Sequence, residues 1–147
     1  MTTIGDFIRS LPQKGDFDAA LDVIPYAAFL GLRLRREGGI LMTTMCFSPH
    51  LVGQPVPPTI HGGTIGALLE TAGIIRTASE MAAEHLPKTI DITIDYLRPG
   101  RPGKDCHAVA EVRRMGRRFA NVQIEAWQDS RDKPIAFAHM NLLVAGS

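Results

Sequence analysis

The sequence is poor in the residues on which several specialised protein classes depend. Only two of its 147 residues are cysteines, Cys46 and Cys106, and each lies in a strand-like segment without Cys-x-x-Cys spacing. Neither a disulfide framework nor a cysteine-bound zinc ion is predicted, and both thiols are expected to be reduced core residues. The five histidines are scattered, and no pair of them has the spacing of metal ligands. We therefore expect no metal site.

Charge of one sign and long apolar runs are lacking too. The formal net charge is +1 and 21% of the residues are charged, so the composition predicts neither a nucleic-acid partner nor a membrane surface. Glu70 and Arg76 interrupt the longest apolar stretch, which leaves it short of the roughly 20 residues of a membrane-spanning helix. The first residues do not form an apolar segment flanked by Arg or Lys, so no signal peptide is predicted and we expect a cytoplasmic protein.

What the sequence does contain is one long apolar segment that begins at a His-Gly-Gly turn. Three prolines within residues 55–58 precede it and oppose regular structure there. From Gly63 onward, apolar residues recur at the spacings of three and four that a buried helix requires. They are Ile65, Leu68, Leu69, Ala72, Ile75 and Ala78. The interior Gly66 and Gly73 each cost up to about 1 kcal/mol relative to alanine, which indicates that another backbone or a ligand passes close to this helix.

The first 30 residues are predicted to form a helical extension within the same domain. Residues 2–11 have a modest helical pattern that Pro12 ends, and Asp16 is placed to cap a second short helix over residues 17–24. Pro25 begins a further helical turn, which Gly31 ends.

The other segments are predicted to be strands. Residues 32–36 and 40–47 form a hairpin around a Glu-Gly-Gly turn, and residues 48–60 form a proline-rich loop. Four strands follow the helix, and they are expected at residues 88–97, 105–114, 119–127 and 134–144. Strands that cluster instead of alternating with helices predict a single α+β domain over residues 1–147, in which an antiparallel sheet of about six strands wraps around one long central helix.

One combination of motifs resembles a known family. His61-Gly62-Gly63 is followed by an acid, Glu70, nine residues after the histidine, and a later strand ends in Asp95-Tyr96-Leu97-Arg98-Pro99. Over residues 25–145 this pattern resembles the hotdog-fold acyl-CoA thioesterases of the PaaI-like group. The resemblance implies a hotdog fold, an acyl-CoA substrate with coenzyme A as part of that substrate and no separate cofactor, and homodimers that pair into tetramers.

The residues of this motif suit thioester hydrolysis. The first N–H groups of a helix lack intrahelical acceptors and lie at the positive end of the helix dipole, so they can bind the thioester oxygen as it becomes negative. By resemblance to related enzymes we expect Gly63 N–H to do so, with Gly62 N–H next in order. Glu70 is expected to act as a general base toward water or as a nucleophile that forms a mixed anhydride, and the sequence leaves both open. His61 is a further candidate catalytic residue, as an acid or base, and the resemblance implies that it orients the turn by hydrogen bonding.

One position departs from the family pattern. Family members usually carry Asn or Gln six residues before the histidine, where this chain has Pro55. Gln54 is the nearest amide and is predicted to take over the role of holding the thioester or the attacking water. The departure also leaves open a hotdog protein that binds an acyl-CoA or another acyl ligand without hydrolysing it. A third reading, a dehydratase that pairs His61 with Glu70, matches the residue types but not their context.

Substrate contacts are predicted in outline only. Thr71 lies beside Glu70, and arginines suit the phosphates of coenzyme A because a guanidinium fork matches phosphate oxygens. The candidates are Arg98, Arg101, Arg117 and Arg118, although ordinary surface positions explain each of them as well. The acyl pocket is expected between the central helices of two protomers, and the sequence does not define its size.

Overall fold

The computed structural model of the protein describes residues 4–12, 14–17, 20–81 and 85–145. Its elements are α1 (Ile4–Ser10), β1 (Lys14–Phe17), α2 (Pro25–Leu30), β2 (Leu32–Glu37), β3 (Ile40–Met45), a 3-10 turn (Pro49–Leu51), β4 (Val52–Pro55), β5 (Pro58–Ile60), α3 (Gly62–Ser79), β6 (Lys88–Tyr96), β7 (Cys106–Met115), β8 (Phe119–Trp127) and β9 (Ala136–Leu143). Among these described residues no helix is long and apolar enough to cross a membrane.

Seven strands form one antiparallel sheet in the order β1-β2-β3-β7-β8-β9-β6. Strand β6 therefore lies at one edge and β1 at the other. The α3 helix packs across the sheet against β3, β6, β7, β8 and β9. This arrangement confirms the predicted α+β fold, an antiparallel sheet wrapped around one long helix.

The predicted helix capped by Asp16 is wrong. Lys14–Phe17 is a strand, β1, whose Asp16 lies opposite Arg35 of β2 and forms an ion pair with it at 3.5 Å. Phe17 packs against the core, and Ala20 N–H donates to its carbonyl in a turn that ends the strand. Pairing with β2 satisfies the backbone of this segment better than a short isolated helix would, because such helices are marginal in water. The sheet therefore has seven strands, one more than the predicted number of about six. Residues 18 and 19 of the predicted helix lie outside the described residues.

The proline-rich loop is more regular than predicted. It contains the 3-10 turn and a two-stranded ribbon, β4–β5, in which Gln54 lies opposite Thr59. The ribbon is separate from the main sheet and leads directly into α3. It therefore holds the start of that helix.

The glycines of α3 mark its closest approach to the sheet. A Cβ atom on Gly73 would come within 2.4 Å of Met140 Sδ in β9, and one on Gly66 within 3.1 Å of Ile94 Cδ1 in β6. What passes close to the helix at these two positions is therefore the side chains of the sheet.

The other end of α3 is held by the N-terminal helix. Arg9 of α1 donates from Nη1 to the carbonyls of Ala78, Ser79 and Met81, at 3.2, 3.2 and 2.6 Å. Ala78 and Ser79 lie in the last turn of α3 and Met81 follows it, where carbonyls lack the partners that a continuing helix would supply. At least this part of the N-terminal extension thus has a structural role.

Candidate active site

The His-Gly-Gly turn is fixed from three sides before the helix begins. His61 N–H donates to the carbonyl of Leu51 at 2.7 Å, and Ile60 N–H donates to the carbonyl of Gly100 at 2.9 Å. Gly53 of β4 lies so close that an added Cβ would be 2.8 Å from His61 Cα. The turn is therefore anchored to the 3-10 turn, to the ribbon and to the segment that follows β6.

Hydrogen bonds within the turn distinguish its N–H groups. Gly63 N–H donates to His61 Nδ1 at 2.8 Å, and Thr64 N–H donates to the carbonyl of His61 at 3.0 Å. Gly62 N–H has no acceptor within the part of the chain that the structure describes. The imidazole thus acts as the N-terminal cap of α3 and accepts the hydrogen bond of Gly63 N–H, the group that the family resemblance predicts as the first oxyanion donor. Gly62 has the open donor.

Gly62 lines an open cavity of about 400 Å³. Gln54, Tyr96 and Arg98 line it too, together with Thr59, Ile60, Ile65, Leu97, Pro99 and Gly100. Gln54 is exposed, and its Nε2 donates to the carbonyl of Val56 at 3.1 Å. The amide one residue before the position usual in the family therefore reaches the cavity that contains the open N–H.

Glu70 does not line this cavity. It is half-buried on α3, and it makes neither an ion pair nor a hydrogen bond with any residue in the described ranges. Arg76, which could have neutralised it, instead pairs with Glu80 at 2.8 Å. Glu70 lies eight residues beyond Gly62, about 12 Å along the helix axis. Thr71 follows it, half-buried as well.

Two of the four candidate arginines lie near the cavity. Arg98 borders it and donates from Nη1 to the carbonyl of Pro134 at 2.6 Å. A second cavity of about 310 Å³ adjoins the first through Arg98 and Pro99, and Arg101 and Lys133 line it. This neighbouring cavity is thus basic.

An acidic side chain offsets part of that charge. Asp129 accepts a hydrogen bond from Lys104 Nζ at 2.6 Å and also pairs with the guanidinium of Arg101. The Lys104 hydrogen bond, with a further contribution from Arg101, lowers the pKa of Asp129. Buried Gln128 holds the backbone of Arg101 on both sides, accepting from its N–H and donating to its carbonyl, each at 2.9 Å.

Arg117 and Arg118 lie at the other end of the sheet. They occupy the turn between β7 and β8, whereas Arg101 precedes the start of β7. The ten residues of β7 separate these ends by about 30 Å. The four arginines therefore do not meet in one chain.

Two hydroxyl groups at the turn were not singled out from the sequence. Tyr96 Oη donates to the carbonyl of Gly62 at 2.7 Å, and Thr64 Oγ1 donates to the carbonyl of His61 at 2.7 Å. Tyr96 belongs to the strand-end motif that carries the family resemblance, and that is the one signal that points to it. Nothing in the spacing of Thr64 indicates its hydrogen bond.

The remaining titratable groups of interest lie away from this cavity. Burial raises the pKa of the Cys106 thiol to about 12, which fits the prediction of an unreactive core cysteine. No group of three His, Cys, Asp or Glu side chains among the described residues is arranged to hold a metal ion.

Both the sequence and the fold are similar to those of known proteins. A family model described as "Thioesterase superfamily" matches residues 58–135. The medium/long-chain acyl-CoA thioesterase YigI of Salmonella typhimurium is 30% identical over 116 residues, which cover 69% of this chain and 74% of that protein. Among solved structures, a Chromobacterium violaceum protein is 34% identical with a TM-score of 0.70, covering 88% of this chain and 90% of that one. The Escherichia coli PaaI protein from the phenylacetic acid degradation operon is 25% identical with a TM-score of 0.74, again covering 88% and 90%. The chain therefore belongs to the thioesterase superfamily, as a hotdog-fold thioester hydrolase of the PaaI-like group.

Proposed function

We propose that this protein hydrolyses acyl-CoA thioesters, with the thioester oxygen bound by the N–H group of Gly62. The observation that carries the proposal is the open Gly62 N–H, which lies at the N-terminus of α3 in a cavity that it shares with Gln54. A negative charge that develops on the carbonyl oxygen is stabilised there by the hydrogen bond and by the helix dipole. Gly63 N–H is the weaker candidate, because His61 Nδ1 already accepts its hydrogen bond.

Glu70 activates the attacking oxygen, as the general base for water or as the nucleophile itself. In the first case Glu70 takes a proton from water and the water oxygen bonds to the carbonyl carbon. The C–S bond then breaks, and Glu70 gives that proton to the leaving sulfur, so that coenzyme A leaves as the thiol. In the second case the carboxylate displaces the thiolate, and water then hydrolyses the mixed anhydride. Gln54 would hold the carbonyl or the water through its amide.

The carboxylate that serves a given Gly62 comes from a second copy of the chain. About 12 Å of helix separates Gly62 from Glu70, and a glutamate side chain that leans back toward the N-terminus shortens this distance by only a few ångström. Glu70 lies one turn beyond Gly66, on the face of α3 that Gly66 turns toward the edge strand β6. A partner that approaches from this side in the opposite direction would place the partner's Glu70 near Gly62.

Strand β6 provides the edge for this dimer. It is nine residues long and pairs only with β9 among the described strands, so its outer backbone groups are available. Ile90, Tyr96 and the following Leu97 are each about half exposed along it. Antiparallel pairing of two β6 strands would continue the sheet and bring the partner's Arg117 and Arg118 toward the end where Arg98 and Arg101 lie. Further pairing of these dimers into tetramers stays a prediction.

Coenzyme A is bound with its phosphates toward the basic cavity. Arg98 links the cavity that contains Gly62 to the one lined by Arg101 and Lys133, so the pantetheine would run from the thioester past Arg98. The salt bridges with Asp129 keep Arg101 in place and moderate its charge. The similarity to the YigI proteins favours a medium or long acyl chain, which Thr71 would border beside Glu70.

The first test is hydrolysis of octanoyl-, dodecanoyl-, hexadecanoyl- and phenylacetyl-CoA, followed by thiol release. Glu70→Ala and Glu70→Gln are expected to lower kcat by about two orders of magnitude or more. Gly62→Pro removes the proposed donor at the first position of a helix, where proline is tolerated, and His61 already has the extended backbone (φ −59°, ψ 125°) that precedes proline.

Gly62→Ala is the matched control, because it keeps the N–H and its Cβ would lie 3.4 Å from the Tyr96 ring, an ordinary contact. We expect Gly62→Pro to lose about a hundredfold or more in kcat and Gly62→Ala to stay close to wild type. Equal rates for both variants would place the oxyanion donor elsewhere. Binding of coenzyme A without hydrolysis of any thioester in the panel would favour the non-catalytic alternative.

A further inference from the structure

The two peptide groups of the His-Gly-Gly turn are held by side-chain hydroxyls that the helix itself does not need. The peptide between His61 and Gly62 carries the open N–H on one side, and its carbonyl accepts from Thr64 Oγ1 at 2.7 Å on the other. That carbonyl already accepts from Thr64 N–H at 3.0 Å and from Ile65 N–H at 3.4 Å. The hydroxyl is thus an additional donor to an acceptor that the helix has already satisfied.

The next peptide, between Gly62 and Gly63, is held at both of its polar groups. Tyr96 Oη donates to the Gly62 carbonyl at 2.7 Å, and Gly63 N–H donates to His61 Nδ1 at 2.8 Å. The Gly62 carbonyl is also the one that accepts from Gly66 N–H in the first turn of an α-helix. The Tyr96 side chain packs directly on Gly62 and Gly66, since a Cβ added to either glycine would lie only 3.4 or 3.3 Å from it. This close packing lets its hydroxyl reach the Gly62 carbonyl.

We propose that the hydroxyls of Thr64 and Tyr96 are positioning groups that orient and strengthen Gly62 N–H as the oxyanion donor. Donors on the carbonyl of a peptide polarise that peptide, and its N–H becomes a stronger donor in turn. A peptide that cannot rotate also costs no reorganisation when charge develops on the substrate. Thr64 acts on the peptide that carries the donor, and Tyr96 acts on the peptide that follows it. This inference rests on the proposed thioester hydrolysis.

The chain provides matched controls for both hydroxyls. Thr77 makes the same kind of bond in the same helix, with Oγ1 donating to the carbonyl of Gly73 at 2.8 Å, but it lies 15 residues beyond Gly62. Thr64→Val and Thr77→Val therefore remove equivalent hydroxyls, one at the site and one distant from it. Thr64→Ser restores the hydroxyl at the site. Tyr26, the other tyrosine, is exposed on α2, so Tyr26→Phe is the control for Tyr96→Phe.

The expected kinetic result is a loss in kcat alone. Thr64→Val and Tyr96→Phe should each lower kcat for dodecanoyl-CoA about tenfold, the scale of a group that supports a catalytic one, with KM changed less than about threefold. Thr64→Ser, Thr77→Val and Tyr26→Phe should remain close to wild type.

A spectroscopic readout separates positioning from a general structural effect. Dodecanoyl-CoA labelled with ¹³C at the carbonyl is bound to the Glu70→Gln variant, which slows hydrolysis, and its ¹³C resonance is compared with that of the free thioester. A strong hydrogen bond moves the resonance downfield, and we expect Thr64→Val or Tyr96→Phe in this background to reduce that shift, whereas Thr77→Val leaves it unchanged.

The outcomes separate the inference from the function on which it rests. Thr64→Val and Tyr96→Phe with wild-type kcat and an unchanged ¹³C shift would overturn the inference, although Gly62→Pro would still abolish hydrolysis. A Thr64→Ser variant as slow as Thr64→Val, or a Thr77→Val variant slowed equally, would also overturn it, because shape or stability would then be the cause. Absence of hydrolysis in the wild type would overturn both the function and the inference.

Discussion

At the scale of single residues, the position of His61 depends on a glycine that touches it. Gly53 packs on His61 so closely that an added Cβ would be 2.7 Å from its Cβ and 2.8 Å from its Cα and Cδ2. Because two of these atoms are the backbone Cα and the first side-chain carbon, no rotation of the imidazole relieves the contact. A side chain at residue 53 would therefore displace the cap of α3.

We predict that Gly53→Ala destabilises the protein and slows hydrolysis together. The free energy of unfolding should fall by about 1–3 kcal/mol, the usual cost of overpacking, and kcat should fall about tenfold or more as the turn shifts. Urea unfolding and the thioester assay measure the two effects. Gly39→Ala is the control, because nothing lies within 4 Å of a Cβ at that glycine. A fully active Gly53→Ala variant would show that the turn tolerates displacement.

Local motif and side-chain geometry differ in what the sequence can reveal. His61, the two glycines and Glu70 are recognisable because each is defined by residue type and spacing within one segment. The choice between Gly62 N–H and Gly63 N–H depends on where the His61 ring points, and this follows from contacts with Gly53 and Leu51 that no spacing records. The hydrogen bonds of Thr64 and Tyr96 could not be predicted from the sequence for the same reason, since their hydroxyls donate to backbone carbonyls.

At the scale of elements, the same distinction separates the central helix from the first strand. The sequence predicts that α3 starts at Gly63, and in the structure it starts at Gly62. The prediction is close because the apolar stripe along this 18-residue helix and the prolines before it are local features of the sequence. Strand β1 has four residues, and its pairing with β2 depends on residues about 20 positions away. Its periodicity therefore carried no reliable signal, and a capping aspartate favoured the wrong element.

The outer face of the sheet contains a histidine, His107, that contacts side chains of two neighbouring strands. His107 of β7 is half-buried, with Nδ1 2.9 Å from Thr44 Oγ1 of β3 and its ring 5.9 Å from that of Trp127 in β8. Burial lowers the pKa of His107 below 6.5; Asp105 opposes this shift and Arg35 adds to it. His107 lines a cavity of about 340 Å³, which Arg33 and Asp16 line as well.

We predict that this histidine makes the protein less stable in mild acid. In the unfolded chain the imidazole takes up a proton as the pH falls through about 6.5, whereas in the folded protein it stays neutral until a lower pH. The unfolded state therefore binds more protons in this window, and the free energy of unfolding falls as the pH falls. His107→Gln should lose less stability between pH 7.5 and pH 5.5 than wild type in urea titrations. His139→Gln, at an exposed position on the same face, should behave as wild type, and equal losses in all three proteins would contradict the assignment.

At the scale of the whole molecule, the two groups that we propose for the site, Gly62 N–H and Glu70, lie about 12 Å apart along α3. The open N–H is at the start of α3, and Glu70 is two turns further on, one turn beyond the Gly66 that approaches β6. The proposed site uses both groups and would therefore be shared between protomers, whereas a site within one chain would need another carboxylate beside Gly62.

This arrangement predicts that two inactive variants restore each other. Gly62→Pro and Glu70→Gln, carrying different affinity tags, are unfolded together and refolded, and the mixed dimer is purified through both tags. One of its two sites then has an intact glycine from one chain and an intact glutamate from the other, so we expect about half the wild-type activity per dimer. Each variant alone should stay inactive. A mixed dimer without activity would mean that both groups act within the same chain.

The two edge strands of the sheet also determine how far such pairing can extend. At one edge, β6 has nine residues. At the other edge, β1 has four, and the charged Lys14 and Asp16 are exposed at alternate positions along it. Short, charged edge strands discourage the addition of another chain, and long ones invite it. Pairing of β6 with the β6 of a second copy about a two-fold axis would use the long edge of both chains and leave neither free. If two copies pair through β6, the edges that remain are the short β1 strands, which oppose further edge-to-edge growth into a fibre.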